Sequence, residues 1–168
     1  VDSGATYSGS PTSTITGLSH LEGEVVQILA DGAAHPDKTV SSGQIVLDRN
    51  ASKVQVGLKY TSTLITLPIE VATPTGTSQG KKKRIAQLLV RLYSSLGGKF
   101  GQDSNNLDRF LYRSGQDPMD ASPPLFTGDK IVSINAEHST QAKYTIVHDE
   151  PLPFTLVALG PRLEIQKR

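Results

Sequence analysis

Short apolar runs, each closed by turn residues, set the pattern of this chain. Residues 17–68 read GLSHLEGEVVQILADGAAHPDKTVSSGQIVLDRNASKVQVGLKYTSTLITLP. The run 24–30 predicts a strand ended by Asp31-Gly32, a dipeptide suited to a tight hairpin turn. His35-Pro36-Asp37 predicts a second break, with a brief strand at 38–40. A third strand, 44–47, is expected to end at Asp48-Arg49-Asn50. Residues 53–58 alternate polar and apolar, the period of a half-buried strand. Residues 60–69 continue in β-favouring types, with Pro68 near the end. Four or five strands in about fifty residues predict a meander or small barrel.

The flanking segments are less regular. Residues 1–16, VDSGATYSGSPTSTIT, are small and polar and carry too little apolar mass to fold alone. They read as an extended arm or linker, and a strand there needs a borrowed edge. Residues 73–80, rich in Thr and Gly, read as a flexible loop. In the next run Ile85, Leu88, Leu89 and Leu92 fit a helix, while Leu88, Val90 and Leu92 alternate with Leu89, Arg91 and Tyr93 as in a strand. The flanks oppose a helix, because no clean N-cap precedes the run and Ser-Ser-Leu-Gly-Gly closes it. Gly97-Gly98-Lys99-Phe100-Gly101 reads as a β-turn, and 99–122 as irregular. The prolines between Asp117 and Pro124 predict a rigid extended connector. Residues 131–134, 144–147 and 154–159 predict three more strands, and 163–165 can extend the last one past Pro161.

Composition agrees with many turns and short elements. The 168 residues include 15 Gly and 10 Pro, with 36% hydrophobic and 20% charged residues. The formal net charge of +1 gives no reason to expect a protein that coats nucleic acid. Without cysteine there is neither a disulfide nor a thiolate metal site. No apolar run reaches the roughly eighteen residues of a membrane-spanning helix, and no signal peptide is legible. The start at Val1 and the Ser/Thr/Gly opening suggest a fragment of a longer protein or a processed one. Together these features predict an all-β, mainly antiparallel small barrel or sandwich. Residues 1–16 form its extended arm and 17–168 its β-domain, with 17–72 and 81–168 as subdomains if it divides.

A set of short phrases, in order, carries a family resemblance. They include Leu18-Ser19-His20-Leu21-Glu22-Gly23, Leu29-Ala30-Asp31-Gly32 and Lys82-Lys83-Arg84-Ile85. Asp117-Pro118-Met119-Asp120, Leu125-Phe126-Thr127-Gly128-Asp129 and Asp149-Glu150-Pro151-Leu152-Pro153 follow. Over most of residues 17–165 the chain resembles the C-terminal part of tail proteins from short-tailed bacteriophages and prophages, of the tail-nozzle or DNA-stabilisation type. The resemblance implies strand for the 85–96 run. It also implies a β-rich virion protein made in the bacterial host cytoplasm. Such a protein assembles with itself as a ring of about six subunits around the genome-exit channel, and with other tail proteins. It implies no catalysis and no cofactor. The alternative from another class is a carbohydrate- or receptor-binding module of a tail.

Candidate chemistry is sparse. His20, His35, His138 and His148 show no paired metal spacing. His35 near Asp31 and Asp37 could form a small cation site, but both flanking dipeptides are turn formers. Asp117, Asp120 and Asp129 could pair as hydrolytic carboxylates, although each sits in a turn-like context where capping is the simpler role. No nucleophile elbow or phosphate loop is present, so catalytic, cofactor and metal residues are expected to be none. The one strong charge cluster is Lys81, Lys82, Lys83 and Arg84. Its like charges repel, so the run is expected to face solvent or an anionic partner such as phage DNA, through salt-dependent phosphate contacts. The aromatic residues are scattered among apolar runs and read as core.

Overall fold

The computed structural model describes residues 1–73, 76–118 and 121–166. Among these residues there is no α-helix, and every strand pairing is antiparallel. The chain is all-β and divides into two compact units. The first comprises Val1–Thr61, Arg113–Pro124 and Asp149–Leu152, and the second Ser62–Tyr112, Leu125–His148 and the chain from Pro153 on.

The first unit is one sheet of β1 (Asp2–Thr16), β2 (Val25–Ala30), β3 (Ala33–Thr39) and β4 (Gln44–Leu58), in the order β1-β4-β2-β3. Asp31 and Gly32, with φ of 49° and 79°, make the two-residue β2–β3 turn. Both positive φ values fit the mirror-image turn whose twist matches the strands it joins. The Asp31 carboxylate accepts hydrogen bonds from the backbone N–H of Ser52 and Lys53 on β4. The turn is thereby tied to the neighbouring strand. Alternation along β4 sends Ile45, Leu47, Val54 and Val56 into an apolar cluster with Ile28 and Leu18.

Three expectations change here. Residues 1–16 form an integral strand rather than a linker, because β4 supplies the borrowed edge along almost its whole length. Asp48-Arg49-Asn50 does not end a strand. Between the pairs Thr12↔Ala51 and Thr14↔Val46, β1 advances two residues while β4 advances five, so the polar triplet is the bulge at which β4 bends. His35-Pro36-Asp37 lies within β3, where proline is tolerated because β3 is an edge.

The second unit holds two larger sheets. One contains β5 (Ser62–Ile65), β9 (Lys99–Asp103), β10 (Asn106–Arg109) and β12 (Thr145–His148), ordered β10-β9-β12-β5. The other contains β8 (Lys83–Ser95), β11 (Phe126–Ser133) and β13 (Leu156–Ile165), ordered β11-β8-β13. A small hairpin, β6 (Ala72–Thr73) and β7 (Gly76–Thr77), precedes β8. Val90 and Leu92 of β8 join Phe100 of β9 and Ile146 of β12 in one apolar cluster. That is the interior of an open two-layer sandwich, and neither sheet closes into a barrel.

The 85–96 run is strand β8. Against β13, Ile85 pairs with Leu163 and Gln87 with Arg162, which leaves Ala86 as an extra residue. This bulge switches the parity of the strand. Lys83 and Ile85 point inward before it, and Leu88, Val90 and Leu92 point inward after it. The segment 99–122, read as irregular, contains the β9–β10 hairpin. Of the glycine-rich stretch, Gly97 and Gly98 turn with positive φ, while Lys99-Phe100-Gly101 already belongs to β9. The final strand runs unbroken through Pro161, again on an edge.

Candidate functional site

The basic run is divided by the alternation of β8. Lys83 has a fully buried side chain. Its Nζ lies 2.6 Å from Glu70 Oε1 and 3.4 Å from the Ser78 carbonyl oxygen. Ser78 Oγ donates to Glu70 Oε2 at 2.7 Å and accepts from the Val71 N–H at 2.9 Å. The Lys83 backbone is held on its other side by reciprocal 2.9 Å bonds with Ser139. Hydrogen bonds from Lys83 first and Ser78 second hold the Glu70 carboxyl below the usual glutamate range. These contacts clasp the segment carrying the β6–β7 hairpin to the start of β8.

Arg84 points to the other face and pairs with Glu164, its cross-strand neighbour on β13, at 2.7 Å. Lys82 is exposed and Lys81 half-buried. The expectation that all four cations face solvent or an anionic partner is therefore corrected at Lys83. Lys83 is withdrawn from any DNA-facing surface, because a strand sends successive side chains to opposite faces.

The remaining candidates serve local structure. His35 is buried. Its Nδ1 lies 2.8 Å from the Pro36 carbonyl oxygen and its Nε2 3.0 Å from the Asp48 backbone N, so Nδ1 donates and Nε2 accepts. Its polar partners come from β3 and β4 rather than from Asp31 or Asp37. Asp48 also pairs with Lys38, and that hydrogen bond chiefly lowers its pKa. His20 Nε2 donates to the Ser3 carbonyl oxygen. His148 stacks on Phe154, with ring centroids 5.2 Å apart. No group of three or more His, Asp or Glu able to hold a metal occurs among the described residues.

Asp117 accepts from the Ser114 N–H and caps a turn. Asp129 makes a bidentate pair with Arg91, at 2.7 and 2.8 Å, across the β8–β11 ladder. Asp120 lies outside the described residues. No helix of the described residues is long and apolar enough to cross a membrane.

Two arrangements escaped the sequence reading. Lys130 Nζ sits 4.4 Å from the Phe126 ring centroid and 5.0 Å from that of Tyr112, and donates to the Leu111 carbonyl oxygen. Burial lowers its pKa. Arg113 ties the proline-rich connector together by donating to the carbonyl oxygens of Pro118 and Ala121. Lys130 meets Phe126 on its own strand but Leu111 and Tyr112 on a distant segment, and Arg113 bonds backbone carbonyls, which no side-chain pattern marks.

One edge of the second unit's four-stranded sheet is open to solvent. All four residues of β5 are exposed, with Ile65 at 63%, and Leu67 just beyond at 84%. From Tyr60 to Ile69 the sequence carries no charge. An exposed, uncharged edge strand lacks the charged residues that usually prevent edge pairing.

No protein-family model matches this chain, and no curated protein is significantly similar to it.

Proposed function

We propose that the chain is a structural subunit of a phage tail, of the nozzle or hub type, which assembles as a closed ring around the genome-exit channel. The ordered phrases along residues 17–165 support this reading from the sequence. The structural observation that carries it is the pair of open sheets in the second unit. Among the described residues the outer strands of each have an unpaired side, and β5 presents Leu64 and Ile65 to solvent within a stretch of sequence, 60–69, that carries no charge. Such edges suit a subunit that completes its sheets against copies of itself. The chain then works by assembly rather than by turnover. Exposed Lys82 is the member of the basic run best placed to meet phosphate, in a weak and salt-dependent manner. Negative-stain imaging of the full-length protein tests the reading: ring-shaped particles are expected, and uniformly single subunits would oppose it.

A further inference from the structure

We infer that the ring interface is a continuation of the four-stranded sheet, in which β5 of one copy pairs with β10 of the next. This rests on the ring reading above and specifies the contact that would build it. Strand direction is the first argument. An antiparallel sheet with an even number of strands has outer strands that run in opposite directions. When a neighbouring copy is brought up by rotation, its β10 therefore meets β5 antiparallel. The three-stranded sheet behaves differently. Both β11 and β13 are antiparallel to β8, so they are parallel to each other. Its continuation would need a parallel pair, which is slightly weaker per residue, against a strand containing Pro161.

Length and charge give the second argument. β5 and β10 are each four residues long. β10 carries Asp108 and Arg109, so pairing it with its own copy about Asp108 would oppose two carboxylates. β5 carries no charge, so it sets no like charge against either residue. A β5–β10 contact is heterologous, the type that closes into rings by rotation.

The register follows from the sheet. Leu107, Gly101, Thr145 and Ile65 lie in one cross-strand row. Continued without stagger, that row sets exposed Ile65 opposite Leu107 of the next copy. Two rows away, Thr63 meets Arg109. Within one chain each pair is separated by three strand spacings, about 14 Å, too far for a disulfide.

The chain has no cysteine, so disulfide trapping is clean. The full chain carrying both Ile65→Cys and Leu107→Cys is oxidised mildly at about 100 μM and run on a non-reducing gel. A ladder of covalent multimers in steps of 18.0 kDa is expected. Thr63→Cys with Arg109→Cys is the second pair, in case Leu107→Cys disturbs the hairpin. Each single variant should remain at one chain mass. Failure of both double variants to cross-link would overturn the interface. Covalent dimers from Ile65→Cys or Thr63→Cys alone would overturn it in favour of β5 meeting β5. Ring-sized particles that persist without cross-linking would place the interface elsewhere and leave the ring reading standing.

Discussion

Lys83 Nζ lies 2.6 Å from Glu70 Oε1, yet the lysine side chain is fully shielded while 39% of the glutamate side chain remains exposed. The two partners are therefore not equivalent. Removing the carboxylate leaves a buried ammonium without its counter-charge. Removing the lysine leaves a carboxylate that water can reach. Glu70→Gln is expected to destabilise the protein clearly more than Lys83→Met. Urea unfolding of both variants checks the order, and equal or reversed losses would count against the asymmetry.

The parity switch in β8 makes neighbouring leucines unequal. Leu88 is fully buried and Leu89 only partly so, on the face that carries Gly160. Leu88→Ala is expected to destabilise by about 2–5 kcal/mol through the cavity it leaves. Leu89→Ala should cost under about 1 kcal/mol, in line with a surface change. A helix would have placed both on one face, so similar losses would contradict the strand.

Much of the fold was legible in the local pattern, and the failures have physical causes. The Asp31-Gly32 turn could be read directly because only a few residues accept two successive positive φ values. The apolar spacing from Ile85 to Leu88 imitates a helix because one extra residue, Ala86, reverses the inward and outward faces of a strand. Residues 1–16 looked unable to fold because their partner, β4, lies some forty residues away. The basic run looked uniform because sequence shows charge but not the face each residue takes. Nor does it show that Glu70 and Glu164 await two of its members.

Gly101 allows β9 and β10 to close on each other. A Cβ there would run into the Asn106 carbonyl oxygen, beside the register shift of this hairpin. Backbone cannot retreat as a side-chain tip can, so Gly101→Ala is expected to cost about 1–3 kcal/mol, in the range of overpacked sites. Hydrogen exchange should rise at Leu107 and Asp108 in particular. Unchanged protection there would show that the approach is looser than the structure has it.

Acid sensitivity follows from three paired carboxyls. Hydrogen bonds from Lys38, Lys83 and Arg91 respectively lower the pKa of Asp48, Glu70 and Asp129. A carboxyl whose folded pKa lies below its unfolded value stabilises fully above the unfolded value. That contribution is lost as pH falls from the unfolded range of about 4 through the lower folded values. The urea midpoint should drop over this window, modestly because all three groups are solvent-exposed, and less in high salt. Asp129→Asn should flatten the drop. A midpoint that rises on acidification would reverse the assigned sign.

The central claim is that the protein works as a multi-subunit ring, and the mass of the full-length protein in solution tests it most directly. Light scattering at micromolar concentration should give one discrete species, as closed cyclic assembly requires, of about six subunits if the resemblance to tail nozzles extends to ring size. A single-subunit mass across that concentration range would contradict the account.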